Sequence, residues 1–225
     1  MTDNPEYLVA YNDFRNEHPR LFENPPNSAY EILFDPDVQR SIGAGLTYRD
    51  PYIIVLRDAV RFRDGRVTGY VRILPNVAVS GAVVLPIHAN RIALVRHFRH
   101  ATRSWHWEVP RGFSQKGETS AMTGRREVEE ELGAQVGAMR HLGRLHPDTG
   151  LSSAVVDLFV TYLDELGELE GNEGIDEIRL VTPDQFDDMV RGGEITDSFT
   201  ITAVFNARLL AATAQGLAAA VAQPE

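Results

Sequence analysis

The chain has 225 residues, a formal net charge of −10, 43% hydrophobic and 24% charged residues. That length buries a full core, read as one domain plus an extension, and the acidic balance argues against general nucleic-acid or anionic-membrane binding. Cysteine is absent from the sequence, which excludes a disulfide framework.

The opening MTDNPEYLVAYNDF has neither the basic start nor the apolar core of a signal peptide. A cytoplasmic location is therefore expected. Residues 1–50 are polar, carry Pro25-Pro26, and read as an N-terminal extension with two short ordered pieces, Tyr7 to Phe14 and Ala29 to Phe34. From Tyr52 the pattern changes to short β-rich runs. YIIVLRDAVRF and RVTGYVRIL flank a turn at Asp64-Gly65 and predict a hairpin. VAVSGAVVLPIH and RIALVRHFRH predict a second strand pair, and Trp105 to Val109 a short strand leading into Pro110-Arg111-Gly112.

Gly112 to Ala134, GFSQKGETSAMTGRREVEEELGA, runs from a loop into a charged helix. Thr119 or Ser120 can cap that helix and Gly133 can end it. Glu127, Glu130 and Glu131 stand at i, i+3 and i+4 and share one helical face, whereas Glu129 points about 200° away from Glu127. Ala121, Val128 and Leu132 supply an apolar side. Like charges so placed repel one another. Three acidic residues on one helical face are more often a solvated surface, but an oxygen-only cluster also suits a hard cation such as Mg²⁺ or Mn²⁺.

Beyond the helix, His141 to Leu145 and Ala154 to Leu163 read as strands around HPDTGLSS, and Gly167 to Glu177 as an acidic loop. Ile178 to Val181 predicts a strand, Pro183 to Arg191 a helix, and Asp197 or Ser198 opens a last helix through Ala214. The Ala-rich Leu209 to Ala222 is too short and too interrupted to span a bilayer. Strands among helices without a regular βαβ repeat predict an α/β fold with a mixed sheet between helices. The expected limits are 1–50 for the extension, 51–215 for the domain and 216–225 for a tail.

The spacing in 112–134 resembles the Nudix box, G-x5-E-x7-R-E-U-x-E-E-x-G-U with U apolar. Gly112, Glu118, Arg126, Glu127, Val128, Glu130, Glu131, Gly133 and Ala134 fill its fixed positions. The resemblance implies a Nudix-type α/β/α sandwich and hydrolysis of a nucleoside diphosphate linked to another moiety. VRHFRH and WHWEVPRGF resemble segments of the ADP-ribose pyrophosphatase branch, as does the end of the domain around GGEITDS. His97 stands where that branch usually has glutamine and Arg111 where it has alanine. Gly150 stands where it often has proline.

The resemblance implies Glu127, Glu130, Glu131 and the Arg111 carbonyl as metal ligands for Mg²⁺ or Mn²⁺, with Glu118 as a supporting partner and Arg126 holding a neighbouring carboxylate. Gly112 lets the backbone approach a cation or phosphate. Arg99 matches the branch's phosphate-binding arginine. Glu173 is the first choice of general base, ahead of Glu170 and Glu177, and a homodimer with shared N-terminal strands is implied. For each loop glutamate the plain alternative is a solvated side chain, and for Arg99 an exposed strand end. Trp105 and Trp107 can stack on a base, though core or interface packing is the commoner role. A dinucleotide substrate and a non-catalytic ligand sensor are the alternative functions.

Overall fold

The computed structural model describes residues 5–76, 81–167 and 174–221. Two compact units emerge, Met1–Ala78 with Asp148–Ala154 and Val79–Pro147 with Val155–Glu225.

The first unit holds α1 (Glu6–Glu17), a 3-10 turn (Pro19–Phe22), β1 (Tyr30–Leu33), α2 (Pro36–Ile42), β2 (Gly45–Arg49), β3 (Ile53–Phe62) and β4 (Val67–Pro75). The predicted hairpin is present as β3 and β4, paired antiparallel from Ile53↔Pro75 to Arg61↔Val67. On the other edge of β3, β1 pairs with Ala59 to Phe62 and β2 with Ile54 to Arg57. Leu8, Tyr11 and Phe14, three residues apart on one side of α1, are buried with Phe22, Ile54, Leu56 and Leu74. This unit is more ordered than the polar sequence suggested. Neither α2 nor β2 was foreseen, because seven and five residues are too short to show a period. The Asp35 carboxylate caps α2 by accepting from the backbone N–H groups of Asp37 and Val38 at 2.9 and 3.0 Å.

The second unit contains β5 (Gly81–His88), β6 (Arg91–Arg99), β7 (Ser104–Glu108), β8 (Arg111–Gly112), α3 (Ser120–Leu132), β9 (Met139–Leu145), β10 (Val156–Leu163), β11 (Ile175–Val181), α4 (Pro183–Arg191) and α5 (Ser198–Val221). Its sheet runs β11-β6-β5-β10-β9; β10 and β5 are parallel and the other pairs antiparallel. Successive side chains of a strand point to opposite faces. Ala82, Val84, Ala93 and Val95 accordingly pack with Val128 and Leu132 of α3. Val83, Leu85, Ile92 and Leu94 pack with Phe186 and Met189 of α4 and Ala203 and Val204 of α5. Helices thus cover both faces of a mixed sheet, the α/β/α sandwich expected.

The strands β5 and β6 are paired only at their hairpin end, Ile87↔Ile92 and His88↔Arg91. Farther along, β7 pairs with β6 and β8 pairs with β5. The segment from Glu108 to Gly112 is therefore carried in the opening between two central strands. Val84 N–H donates to the Pro110 carbonyl at 3.0 Å, which ties the connection to β5. Among the described residues no helix is long and apolar enough to cross a membrane.

Candidate active site

The helix α3 follows its sequence signals. Thr119 accepts from Met122 N–H at 3.2 Å, and Gly133 ends the helix at φ 60°. Val128 and Leu132 are buried, but Ala121 is exposed; Thr123 and Gly124 occupy the inner side instead. A Cβ on Gly124 would lie 2.8 Å from Val84 Cγ2, so a side chain there would hold the helix off the sheet. The same approach brings α3 against β8. A Cβ on Gly112 would sit 1.9 Å from Glu127 Oε1 and 2.3 Å from its Cδ. The absent side chain leaves the space that the carboxylate fills.

Of the three carboxylates predicted to share a face, Glu127 and Glu131 are 6% and 4% exposed, whereas Glu130 is exposed. Glu129 points to solvent as its spacing required. Arg126 Nη1 lies 2.8 Å from both Glu127 Oε1 and Glu130 Oε2. Its Nε donates to Glu118 Oε1 at 3.0 Å and its Nη2 to the Phe113 carbonyl at 3.2 Å. Glu118 also accepts from Gln115 N–H at 2.8 Å and from Thr123 Oγ1 at 2.9 Å. The Arg126 bond and these contacts lower its pKa to about 2, and the Arg126 pKa is raised chiefly by the same bond. Arg126 and Glu118 thus clamp the loop 113–118 to the helix while Arg126 steadies two carboxylates. Among the described residues no three acidic or histidine side chains are gathered around one point as a finished metal cage. The donor chemistry nevertheless fits a hard divalent cation: two buried carboxylates on one face, a third beside them, and a backbone approach open at Gly112.

A second cluster gathers around Glu108, which is 2% exposed. Arg99 Nε and Nη2 donate to its Oε2 at 2.9 and 2.5 Å, and Arg111 Nε donates to the same oxygen at 3.2 Å. Burial alone would raise the Glu108 pKa, but the Arg99 bonds and the Arg111 charge hold it low. Arg111 also lies 3.6 Å from Asp197 and stacks 4.7 Å over the Phe199 ring. Asp197 accepts from Thr200 N–H and Oγ1 at 2.9 and 2.7 Å at the start of α5. Arg99, Arg111, Glu108, Asp197, His106 and Ser198 help line a cavity of about 520 Å³. Arg99 and Arg111, both singled out in the sequence, are thus brought together, and the carboxylate that joins them was missed. Its signal was present: a lone acid in the apolar WEVP run, with arginines before and after it, has to be paired if it is buried.

The base candidates fare differently. Glu173 and Glu170 lie outside the described residues. Glu177, expected in the acidic loop, is in β11, which begins at Ile175, three residues earlier than predicted. It lies 3.2 Å from Arg179 and 3.8 Å from Arg96. Asp176 sits at a register shift between Ile175 and Glu177 and takes two hydrogen bonds from Arg96, 2.7 and 2.6 Å. Trp107 is buried under Arg179, whereas Trp105 is 46% exposed against Arg96 and Phe98.

The NUDIX domain model matches residues 77–199, more than half of the chain. The chain belongs to the Nudix family. It is a Nudix hydrolase, similar to the "Methanol dehydrogenase activator" of Bacillus methanolicus, with 30% identity over 55% of this chain and 68% of that protein. It is also similar to the "ADP-ribose pyrophosphatase" of Bacillus subtilis, with 28% identity over 55% of this chain and 68% of that one. Among solved structures, one described as an ADP compounds hydrolase superposes with a TM-score of 0.66, covering 83% of this chain and 96% of the other at 19% identity. That likeness carries the fold. The segments that flank the box resemble the ADP-ribose pyrophosphatase branch.

Proposed function

We propose that this Nudix hydrolase cleaves the pyrophosphate bond of ADP-ribose or a related nucleoside diphosphate sugar with the help of Mg²⁺ or Mn²⁺. The observation that carries the reading is the Gly112–Glu127 contact, in which a buried carboxylate stands where any Cβ would be. Glu127, Glu130, Glu131 and the Arg111 carbonyl would hold the cation. A cation held there neutralises pyrophosphate charge and makes a water more acidic. Arg126 keeps Glu127 and Glu130 in place through its 2.8 Å pairs, and Glu118 keeps Arg126 in place. Arg99 and Arg111 offer guanidinium N–H groups to phosphoryl oxygens. Glu173 takes the proton from the attacking water, a general-base contribution of about 10²–10⁴-fold.

The enzyme works as a homodimer in this reading, with N-terminal strands contributing to the partner's site. The alternative substrates are dinucleotides such as NADH or a diadenosine polyphosphate. Incubation of the purified protein with Mg²⁺ or Mn²⁺ and a nucleotide panel, with products resolved by chromatography, decides among them. ADP-ribose giving AMP and ribose 5-phosphate as the fastest reaction supports the proposal. Faster cleavage of a dinucleotide overturns the substrate. Tight binding without product from any compound makes the protein a sensor.

A further inference from the structure

His97 in VRHFRH has no role in the functional reading. Its Nε2 lies 3.4 Å from Arg99 Nη1, on the same strand two residues away. Its Nδ1 is buried and has no hydrogen-bond partner among the described residues. The ring lies at the pairing His97↔Ile175, beside Gly174, whose carbonyl accepts from Phe98 N–H at 2.8 Å.

A guanidinium has five N–H groups in a fixed plane and no acceptor. Arg99 spends the Nε and Nη2 edge on Glu108, and a contact from Nη1 to His97 occupies a third donor. Among the described residues two donors remain, one on Nη1 and one on Nη2, enough to meet two oxygens of one phosphoryl group. Arg99 lines the 520 Å³ cavity, and its side chain is 24% exposed.

We propose that His97 is a positioning residue: as a neutral imidazole accepting from Arg99, it fixes the guanidinium so that its two remaining donors face the substrate's phosphoryl oxygens. This rests on the reading of Arg99 as a phosphate contact. Only an unprotonated Nε2 can accept from a guanidinium, so the ring proton belongs on Nδ1. Burial, and then the Arg99 charge, lower the His97 pKa to about 4, with Arg111 acting in the same sense and Glu108 against it. The ring is therefore neutral at physiological pH. Glutamine, usual at this place in the branch the sequence resembles, also offers one acceptor and would serve the same purpose.

The test compares His97→Phe, His97→Gln and Arg99→Ala in the full chain, measuring KM, kcat and melting temperature with ADP-ribose. Loss of one neutral hydrogen bond to a charged partner predicts a rise in KM of about 10-fold for His97→Phe. Turnover should change far less, and His97→Gln should recover most of the loss. An unchanged KM in His97→Phe, or a His97→Gln variant as impaired as His97→Phe, overturns the positioning role. An unchanged KM in Arg99→Ala instead overturns the phosphate contact on which it rests. Nitrogen-15 NMR of the wild-type imidazole gives a readout independent of folding in the variants. The proposal requires the Nδ1–H tautomer at pH 7, and a proton on Nε2 would refute it.

Discussion

Replacing Gly112 with alanine places a carbon where the Glu127 carboxylate already stands. The new Cβ would be 1.9, 2.3 and 2.7 Å from Oε1, Cδ and Oε2. Restoring an ordinary contact near 3.4 Å requires the carboxylate or the β8 backbone to withdraw by roughly 1.5 Å. Glu127 is 6% exposed and paired with Arg126 at 2.8 Å, so the carboxylate cannot swing away without giving up that pair. If the backbone moves instead, Arg111 and Gly112 leave their register with Val83 and Ala82. Either route displaces a proposed metal-binding group by about 1 Å or more, which costs on the order of 10²-fold in rate. Overpacking also costs about 1–3 kcal/mol, or roughly 2–4 °C per kcal/mol in melting temperature for a chain of this size. Steady-state hydrolysis of ADP-ribose and a thermal melt measure the two effects separately. A folded Gly112→Ala protein with kcat/KM within about threefold of wild type would refute the argument, since the displacement calls for on the order of 10²-fold.

Glu118 has its folded pKa lowered to about 2, so its contribution to stability is complete above the ordinary glutamate range and is lost as pH falls toward 2. Thermal melts at pH 7 and pH 3 should show a smaller acid loss for Glu118→Gln than for wild type; equal losses would remove the Glu118–Arg126 clamp from the account. His97 acts with the same pH trend for a different reason: its folded pKa of about 4 lies below 6.5, so the unfolded chain takes up the proton first and stability falls as pH drops through that window. His97→Gln should flatten that part of the pH–stability curve, and an unchanged slope would contradict the burial of a neutral ring. Glu173→Gln should lower turnover with little effect on metal or substrate affinity, and Glu170→Gln and Glu177→Gln should be milder; a larger defect at Glu170 or Glu177 moves the base there. Sedimentation at assay concentration should show a dimer, and an active monomer would exclude a shared site.

Much of the catalytic unit was legible because its signals are local. The face shared by Glu127 and Glu131 and the Thr119 cap follow from spacing on one helix. The strand pattern likewise gave both faces of the sandwich. Glu130 shares the face but stays exposed, because helical spacing fixes direction and not burial. The Glu108 cluster depends on β7 and β8 entering between β5 and β6, a placement that spacing within one segment does not encode. In the first unit, Asp58 is buried in a run that reads as plain strand. Its partners, Tyr11 at 2.5 Å and Arg72 Nε at 2.5 Å, come from α1 and β4. Burial and the Asp58 charge together raise the Tyr11 pKa. Such long-range pairs order an extension in which the sequence shows only two short ordered pieces, Tyr7 to Phe14 and Ala29 to Phe34.

The central claim is that the carboxylates of α3 hold a divalent cation that drives pyrophosphate hydrolysis. The most direct measurement is ADP-ribose turnover by wild type and Glu131→Gln as Mg²⁺ is titrated into chelator-treated protein. Glu131 is 4% exposed, and glutamine keeps its volume while removing its charge. The account predicts no product without cation, saturable activation of the wild type, and a folded Glu131→Gln protein that has lost most activity. Turnover by the cation-free enzyme, or wild-type rates in Glu131→Gln at saturating Mg²⁺, would contradict it.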